Sequence, residues 1–363
     1  MLYGEIGVNL YAIETENLTR TFTRYNYLGM HVDMDYSNNP GGLFLSIYNR
    51  LFNREVVKEE VVALDNVNLK VEPGRLVCLL GPNGSGKTTL LRILATLLRP
   101  TSGKAYVMGH DVVKEEDEIW RYLVYIAGLL TGGSWLDVRL TPREILTIQS
   151  KLYNFPPDRV FDALEISGLE DVANVRVSTF STGMLARLSL AIGLLRDSPV
   201  YLMDESLGGI SREIVEELYS YIKENLIRKK GATILYATHD LYDAERLADE
   251  VVLMHGGRIV AQGKTEDIIL RVCEDHSIEL EVLNCSKDAL RSLEGVAHVS
   301  KFVVNRTREE GTLNIVMYTS KPREVLPKVI SIITENDIEL KYIKINKPTL
   351  EDVFIKMFGK KLR

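Results

Sequence analysis

The stretch Leu79-Leu80-Gly81-Pro82-Asn83-Gly84-Ser85-Gly86-Lys87-Thr88-Thr89 satisfies every defined position of the pattern G-x-x-x-x-G-K-[ST]. Its flanks agree with the pattern. An apolar run from Leu76 to Leu80 enters it as a buried strand would, and Leu90, Leu91, Leu94, Leu97 and Leu98 leave it at the spacing of a core-facing helix. The glycines let backbone N–H groups turn toward an anion, and the new helix adds the positive end of its dipole. Lys87 is then expected to reach the β- and γ-phosphates of a nucleotide, with the Thr88 hydroxyl on Mg²⁺. A Gly-rich turn that merely precedes a lysine would lack this strand and this helix.

At 363 residues and 45% hydrophobic content, the chain can bury a large core and is expected to form two domains. Lys plus Arg number 44 against 50 Asp plus Glu, and the net charge of −6 argues against a nucleic-acid partner. Cys78, Cys273 and Cys285 form no C-x-x-C pair, which argues against a zinc or disulfide framework and fits a reducing compartment. No run reaches about 18 consecutive apolar residues, and Met1 to Leu10 lacks a basic start followed by an apolar stretch. The chain is therefore expected in the cytoplasm.

Leu10 to Phe22 reads as a strand and turn, and Val61 to Val71 as a second strand. Between them an insertion from about residue 25 to 60 carries Asn38-Asn39-Pro40-Gly41-Gly42 and then Leu43 to Phe52. Phe44, Ile47, Tyr48, Leu51 and Phe52 share one helical face, which either caps the protein's own sheet or meets a partner or membrane interface. After the loop helix, Lys104 to Met108 and Leu123 to Ile126 read as strands. A mainly helical lobe follows from about 129 to 180, with Pro142, Pro156 and Pro157 at helix starts.

Ser181-Thr182-Gly183-Met184 precedes a helical run from Leu185 to Leu195; alone, such a turn is usually an N-cap, and it can also hold an anion. The apolar strand Val200 to Met203 ends in Asp204-Glu205, and Ala232 to Ala237 ends in Thr238-His239-Asp240. With a phosphate loop nearby, Asp204 can hold Mg²⁺ through its water shell and Glu205 can polarise the water that attacks the γ-phosphate. Three polar clusters at strand ends are what an α/β sheet uses to build a site in its crevice. Val251 to Met254 and Arg258 to Gln262, joined through Gly256-Gly257, close this part as a hairpin.

Taken together, these stretches resemble the ATP-binding subunits of ATP-binding cassette (ABC) transporters over most of residues 10 to 265. The resemblance implies an α/β P-loop NTPase cassette with an antiparallel β subdomain and an inserted helical lobe, plus a small C-terminal α+β domain. It implies ATP and Mg²⁺ as cofactors, with Gly81, Pro82, Asn83, Gly84, Ser85, Gly86, Lys87, Thr88 and Thr89 on the nucleotide, and Thr88 and Asp204 on the metal. Glu205 and His239 become catalytic, and Phe22 stacks on adenine. Ser181, Thr182 and Gly183 bind a nucleotide held by a second ATP-binding subunit, so the active unit is a homo- or heterodimer. Membrane-spanning permease subunits are the further partners, and the chain sits on the cytoplasmic face of the membrane.

Domain bounds follow as 1–270 for the cassette and 275–363 for the accessory domain. The latter reads strand, helix, strand, strand, helix, strand, a split β-α-β pattern, and its tail Pro348-Thr349-Leu350-Glu351-Asp352-Val353-Phe354 resembles a branch serving drug and sodium exporters. Two positions depart from the family. Gly128-Leu129-Leu130 stands where a glutamine usually follows its strand, and Ser211 where aspartate usually ends the loop after Glu205. These departures are expected to weaken coupling between the sites; were coupling intact, a polar residue from elsewhere, such as Gln149, would be the replacement candidate. The leading expectation is an ATPase subunit powering export. The alternatives are a low-turnover nucleotide-gated subunit of a heterodimer and a soluble non-transport ABC ATPase.

Overall fold

The computed structural model describes residues 11–27, 30–34, 57–127, 137–273, 275–306 and 311–358. The apolar face from Phe44 to Phe52 and the Gly128-Leu129-Leu130 position lie outside the described residues. The chain divides between Gly263 and Lys264 into two compact units. Among the described residues no helix is long and apolar enough to cross a membrane.

The first unit runs β1 (Ile13–Tyr27), β2 (Met30–Met34), β3 (Val57–Val71), β4 (Leu76–Leu80), α1 (Lys87–Leu94), β5 (Ser102–Val107) and β6 (His110–Asp111). It continues through α2 (Glu116–Tyr122), β7 (Leu123–Ala127), α3 (Pro142–Leu152), α4 (Asp158–Ile166), α5 (Thr182–Leu194), β8 (Val200–Asp204) and α6 (Arg212–Tyr221). It closes with β9 (Thr233–Thr238), α7 (Leu241–Leu247), β10 (Glu250–His255) and β11 (Arg258–Gly263). Strands β4, β8 and β9 are buried at every residue, as parallel strands covered on both faces must be. They sit in a sheet of order β11-β10-β4-β9-β8-β7 in which all neighbours are parallel except the β10–β11 hairpin. An antiparallel sheet of order β2-β1-β5-β6, with β3 also on β1, packs against it. Leu64, Val67, Leu79, Leu90, Leu91, Leu94, Leu202 and Val252 meet in the shared core.

Two local readings change. The helix after the phosphate loop ends at Leu94, because Thr96 adopts φ 60 and breaks the ladder; Leu97 is 55% exposed, whereas Leu90, Leu91 and Leu94 are buried. Strand β1 also runs past Phe22 to Tyr27, paired with β3 through Asn26↔Val57, so the ends of the 25–60 insertion prolong a hairpin. In the helical lobe, α3 begins at Pro142 behind a Thr141–Glu144 capping box, and Ile145, Leu146, Val160, Leu164 and Leu188 fill its core.

The second unit contains α8 (Thr265–Val272), β12 (His276–Leu283), α9 (Lys287–Glu294), β13 (Lys301–Arg306), β14 (Thr312–Thr319), α10 (Pro322–Glu335), β15 (Glu339–Asn346) and α11 (Leu350–Phe358). Its sheet has the order β13-β14-β12-β15, antiparallel throughout. Alternating residues Ile278, Leu280 and Val282 face a core shared with Leu293, Val325 and Val329. Helix α8, inside the 1–270 span read from sequence, belongs here because it packs on α11.

Leu280→Ala removes a fully buried side chain from the central strand β12. It should cost the second unit about 2–5 kcal/mol. Amide exchange across β12, β14 and β15 should accelerate, and an unchanged exchange pattern would contradict this account of the core.

Candidate functional site

The phosphate loop is wedged between two strands. A Cβ on Gly81 would lie 2.3 Å from the Met254 carbonyl oxygen, and one on Gly86, where φ is +103, would lie 2.5 Å from that of Ala63. No side chain fits at either position. Around Gly84 nothing lies within 4 Å of a built Cβ, so the loop's outer side is open. Gly86 caps α1 without a side-chain hydrogen bond and without an acidic residue in the first turn, leaving the helix's leading N–H groups for an anion. Asn83 is exposed, Pro82 and Thr89 are half-buried, and the buried Ser85 Oγ has no hydrogen-bond partner among the described residues. A phosphate oxygen would satisfy that group.

Lys87 is 5% exposed, and its Nζ donates to the carbonyls of Gly81 at 2.7 Å and Pro82 at 3.3 Å. Burial lowers its pKa, while Glu205 and Asp204 push it back up. The next residue, Thr88, donates its hydroxyl to Asp204 Oδ1 at 3.0 Å. Asp204 is fully buried, and burial raises its pKa against the hydroxyls of Thr88 and Tyr125. Tyr125 supplies the second hydroxyl, 3.1 Å from Oδ2.

Glu205 adopts φ 49 at the end of β8, its N–H donating to the Ala237 carbonyl at 2.9 Å. Its Oε1 lies 3.2 Å from His239 Nδ1 and 3.9 Å from Lys87 Nζ. Parallel register makes this possible, since Leu80 pairs with Thr238 and Asp204 with Ala237 at one edge of the sheet. Lys87, Thr88, Asp204, Glu205 and His239 are thus brought together. Among the described residues no cluster of three His, Cys, Asp or Glu side chains could hold a metal alone. A hydroxyl beside one carboxylate fits Mg²⁺, which retains water and takes its remaining oxygens from phosphates.

Ser181, Thr182 and Gly183 form a separate place. Ser181 caps α5, accepting from Met184 N–H at 3.3 Å, and both Ser181 and Thr182 are exposed. A Cβ on Gly183 would lie 2.5 Å from the Gly209 carbonyl oxygen, so the turn is pressed against the loop that follows Glu205. Thr182, Glu205, Gly208, Gly209 and His239 line a cavity of about 450 Å³. Phe22 is half-buried on β1 opposite Val61, with the Arg20 guanidinium 4.6 Å from its ring centre.

Sequence reasoning missed Tyr125. Its hydroxyl holds Asp204, and Tyr125 and Gln149 both line a groove of about 540 Å³ with Trp120, Tyr153 and Arg196. A tyrosine inside an apolar strand carries no local signal of such a bond.

Residues 64–208 match the ABC transporter family. The chain is 31% identical over 302 residues to the daunorubicin resistance ATP-binding protein of Streptomyces coeruleorubidus, covering 82% of this chain and 91% of that protein. It is 32% identical over 312 residues to the doxorubicin resistance ATP-binding protein of Mycobacterium tuberculosis, covering 83% and 89%. Its fold is similar to that of a dimeric ATP-binding cassette in a post-hydrolysis state bound to ADP and Pi, with a TM-score of 0.54 and 22% identity over 69% of this chain and 98% of that chain. The phosphate loop, the strand-end carboxylates and these relatives lead to one conclusion: the chain belongs to the ABC transporter family, as an ATP-binding subunit with ATPase activity.

Proposed function

We propose that this subunit hydrolyses MgATP at the Lys87–Glu205 site to power export through separately encoded membrane-spanning subunits. The observation that carries the hydrolytic reading is Glu205, whose carboxylate reaches both the His239 imidazole and the Lys87 ammonium. Residues Gly81 to Thr89 cradle the triphosphate with backbone N–H groups, and Lys87 moves from its own loop carbonyls to the β- and γ-phosphates. Thr88 and, through water, Asp204 would hold Mg²⁺, which would supply positive charge against the charge developing on the phosphates. Glu205 orients the attacking water and takes its proton, while His239 fixes the carboxylate's direction. Phe22 packs against adenine.

The exposed Ser181-Thr182-Gly183 turn serves the nucleotide of a second ATP-binding subunit, so two sites are completed across a dimer. Pinning by the Gly209 carbonyl supports this role, because it ties that turn to the loop leading from Glu205. The drug-resistance relatives favour export, with the subunit peripheral on the cytoplasmic face of the membrane and no nucleic-acid partner.

Lys87→Ala should weaken MgATP binding by about 1.5–3 kcal/mol, the range for hydrogen bonds to charged groups. Nucleotide titration checks this, and equal affinity would remove Lys87 from the site. Glu205→Gln should keep nucleotide affinity but slow phosphate release by about 10²–10⁴-fold, accumulating an ATP-bound dimer visible by size measurement. Unchanged turnover would place the base elsewhere.

Tyr125→Phe removes one of the two hydroxyls on Asp204 with little change of shape. Half-maximal hydrolysis should require more Mg²⁺, while nucleotide binding in EDTA stays at the parent value. An identical Mg²⁺ titration would show that Thr88 alone holds the carboxylate.

A further inference from the structure

A second buried carboxylate lies just beyond the switch histidine, and the hydrolytic chemistry above does not use it. Asp243, in the first turn of α7, is 9% exposed. Three hydroxyls from two other elements converge on it. Tyr219 of α6 donates to Oδ1, and Tyr236 and Thr238 of β9 donate to Oδ2 at 2.7 Å and 3.1 Å. Tyr219, Tyr236 and Thr238 are each at most 3% exposed. Burying a carboxylate is costly without such donors, and an apolar side chain would fill the space without that cost. The cluster therefore needs a reason beyond packing.

The direction of its hydrogen bonds supplies one. A threonine hydroxyl has one proton, and Thr238 gives it to Asp243; its lone pair then accepts the Asp240 N–H at 3.0 Å. The residues immediately before and after His239 are both tied to this one hydroxyl. On the other side, the Ala237 carbonyl accepts the Glu205 N–H, and His239 Nδ1 meets Glu205 Oε1. The groups around Asp243 include Tyr219 on α6, Tyr236 and Thr238 on β9, Asp240 at the cap of α7 and the buried Cys78 on β4. None of the three hydroxyls lies within the phosphate loop.

We propose that Asp243 is a positioning residue for hydrolysis: braced by Tyr219 and Tyr236, it fixes Thr238 and so holds His239 against Glu205. The inference rests on the reading of Glu205 and His239 given above. The hydrogen bonds of the clamp run among Tyr219, Tyr236, Thr238, Asp240 and Asp243 and not to residues 81–89, so their loss separates turnover from binding. A residue serving stability alone would lower the melting temperature without selecting kcat.

The test uses the full chain and steady-state ATP hydrolysis. Thr238→Val removes the hydroxyl while nearly keeping the volume, and Thr238→Ser restores the hydroxyl in a smaller side chain. The valine variant should lose about 10–10²-fold in kcat with KM for ATP unchanged, as a displaced catalytic geometry does. The serine variant should regain most of that loss. Asp243→Asn should lose a comparable factor, and Asp243→Asn combined with Thr238→Val should be no slower than the worse single variant, because both break one chain of contacts. Parent-like kcat in Thr238→Val beside an impaired His239→Ala would overturn the inference and leave the hydrolytic site standing. Parent-like kcat in His239→Ala would overturn both. If Asp243→Asn does not fold, the valine and serine pair at Thr238 decides the matter alone.

Discussion

Parallel pairing in the central sheet is the constraint on which the rest of the first unit depends. Because β4, β9 and β8 run side by side in one direction, the chain must leave all three at the same edge. The phosphate loop, the Thr238-His239-Asp240 turn and the Asp204-Glu205 pair are the three exits. Burial on both faces makes these strands uniformly apolar, so their register is held by packing and the polar residues are confined to their ends. A site assembled this way has rigid floors and adjustable loops.

Electrostatics then differentiates two neighbouring carboxylates. Asp204 is sealed beneath two hydroxyls, and burial raises its pKa; Glu205 turns out through a left-handed backbone and stays about one-third exposed between Lys87 and His239. The first is suited to orienting a hydrated cation, the second to handling a proton. Lys87, with its pKa lowered by burial, is held by loop carbonyls and not by full pairing with either acid. Its ammonium is therefore free to exchange these contacts for phosphate oxygens.

The second unit follows a different logic. Its sheet is antiparallel with α9 and α10 on one face, and strict alternation on β12 sends Ile278, Leu280 and Val282 inward while Glu279 bonds Asn314 and Tyr342 on the other side. Helices α8 and α11, from the two ends of this unit's sequence, pack together. That pairing explains why a boundary judged from local pattern falls a few residues late: α8 follows the closing hairpin directly, and only its distant partner assigns it.

Much of the fold and site was legible in the chain because the relevant chemistry is local. Gly86 and Lys87 are adjacent, the apolar runs of β4, β8 and β9 are continuous, and the split β-α-β pattern alternates with clear breaks. The sequence by itself determined the phosphate loop, the strand-end carboxylates, the strand-helix-strand-strand-helix-strand order within the second unit and the family resemblance. Tertiary structure alone decided that Leu97 is exposed, that Tyr125 supports Asp204, and that Asp243 collects three hydroxyls. Each of these depends on contacts or backbone angles that periodicity does not encode. Tyr125 and Asp204 are 79 positions apart, Tyr219 and Asp243 are 24 apart, and a hydroxyl in an apolar strand has the same pattern whether or not it finds a partner. Which buried polar group pairs with which is settled only when strands and helices bring them within hydrogen-bonding distance, where leaving either one unpaired would be costly.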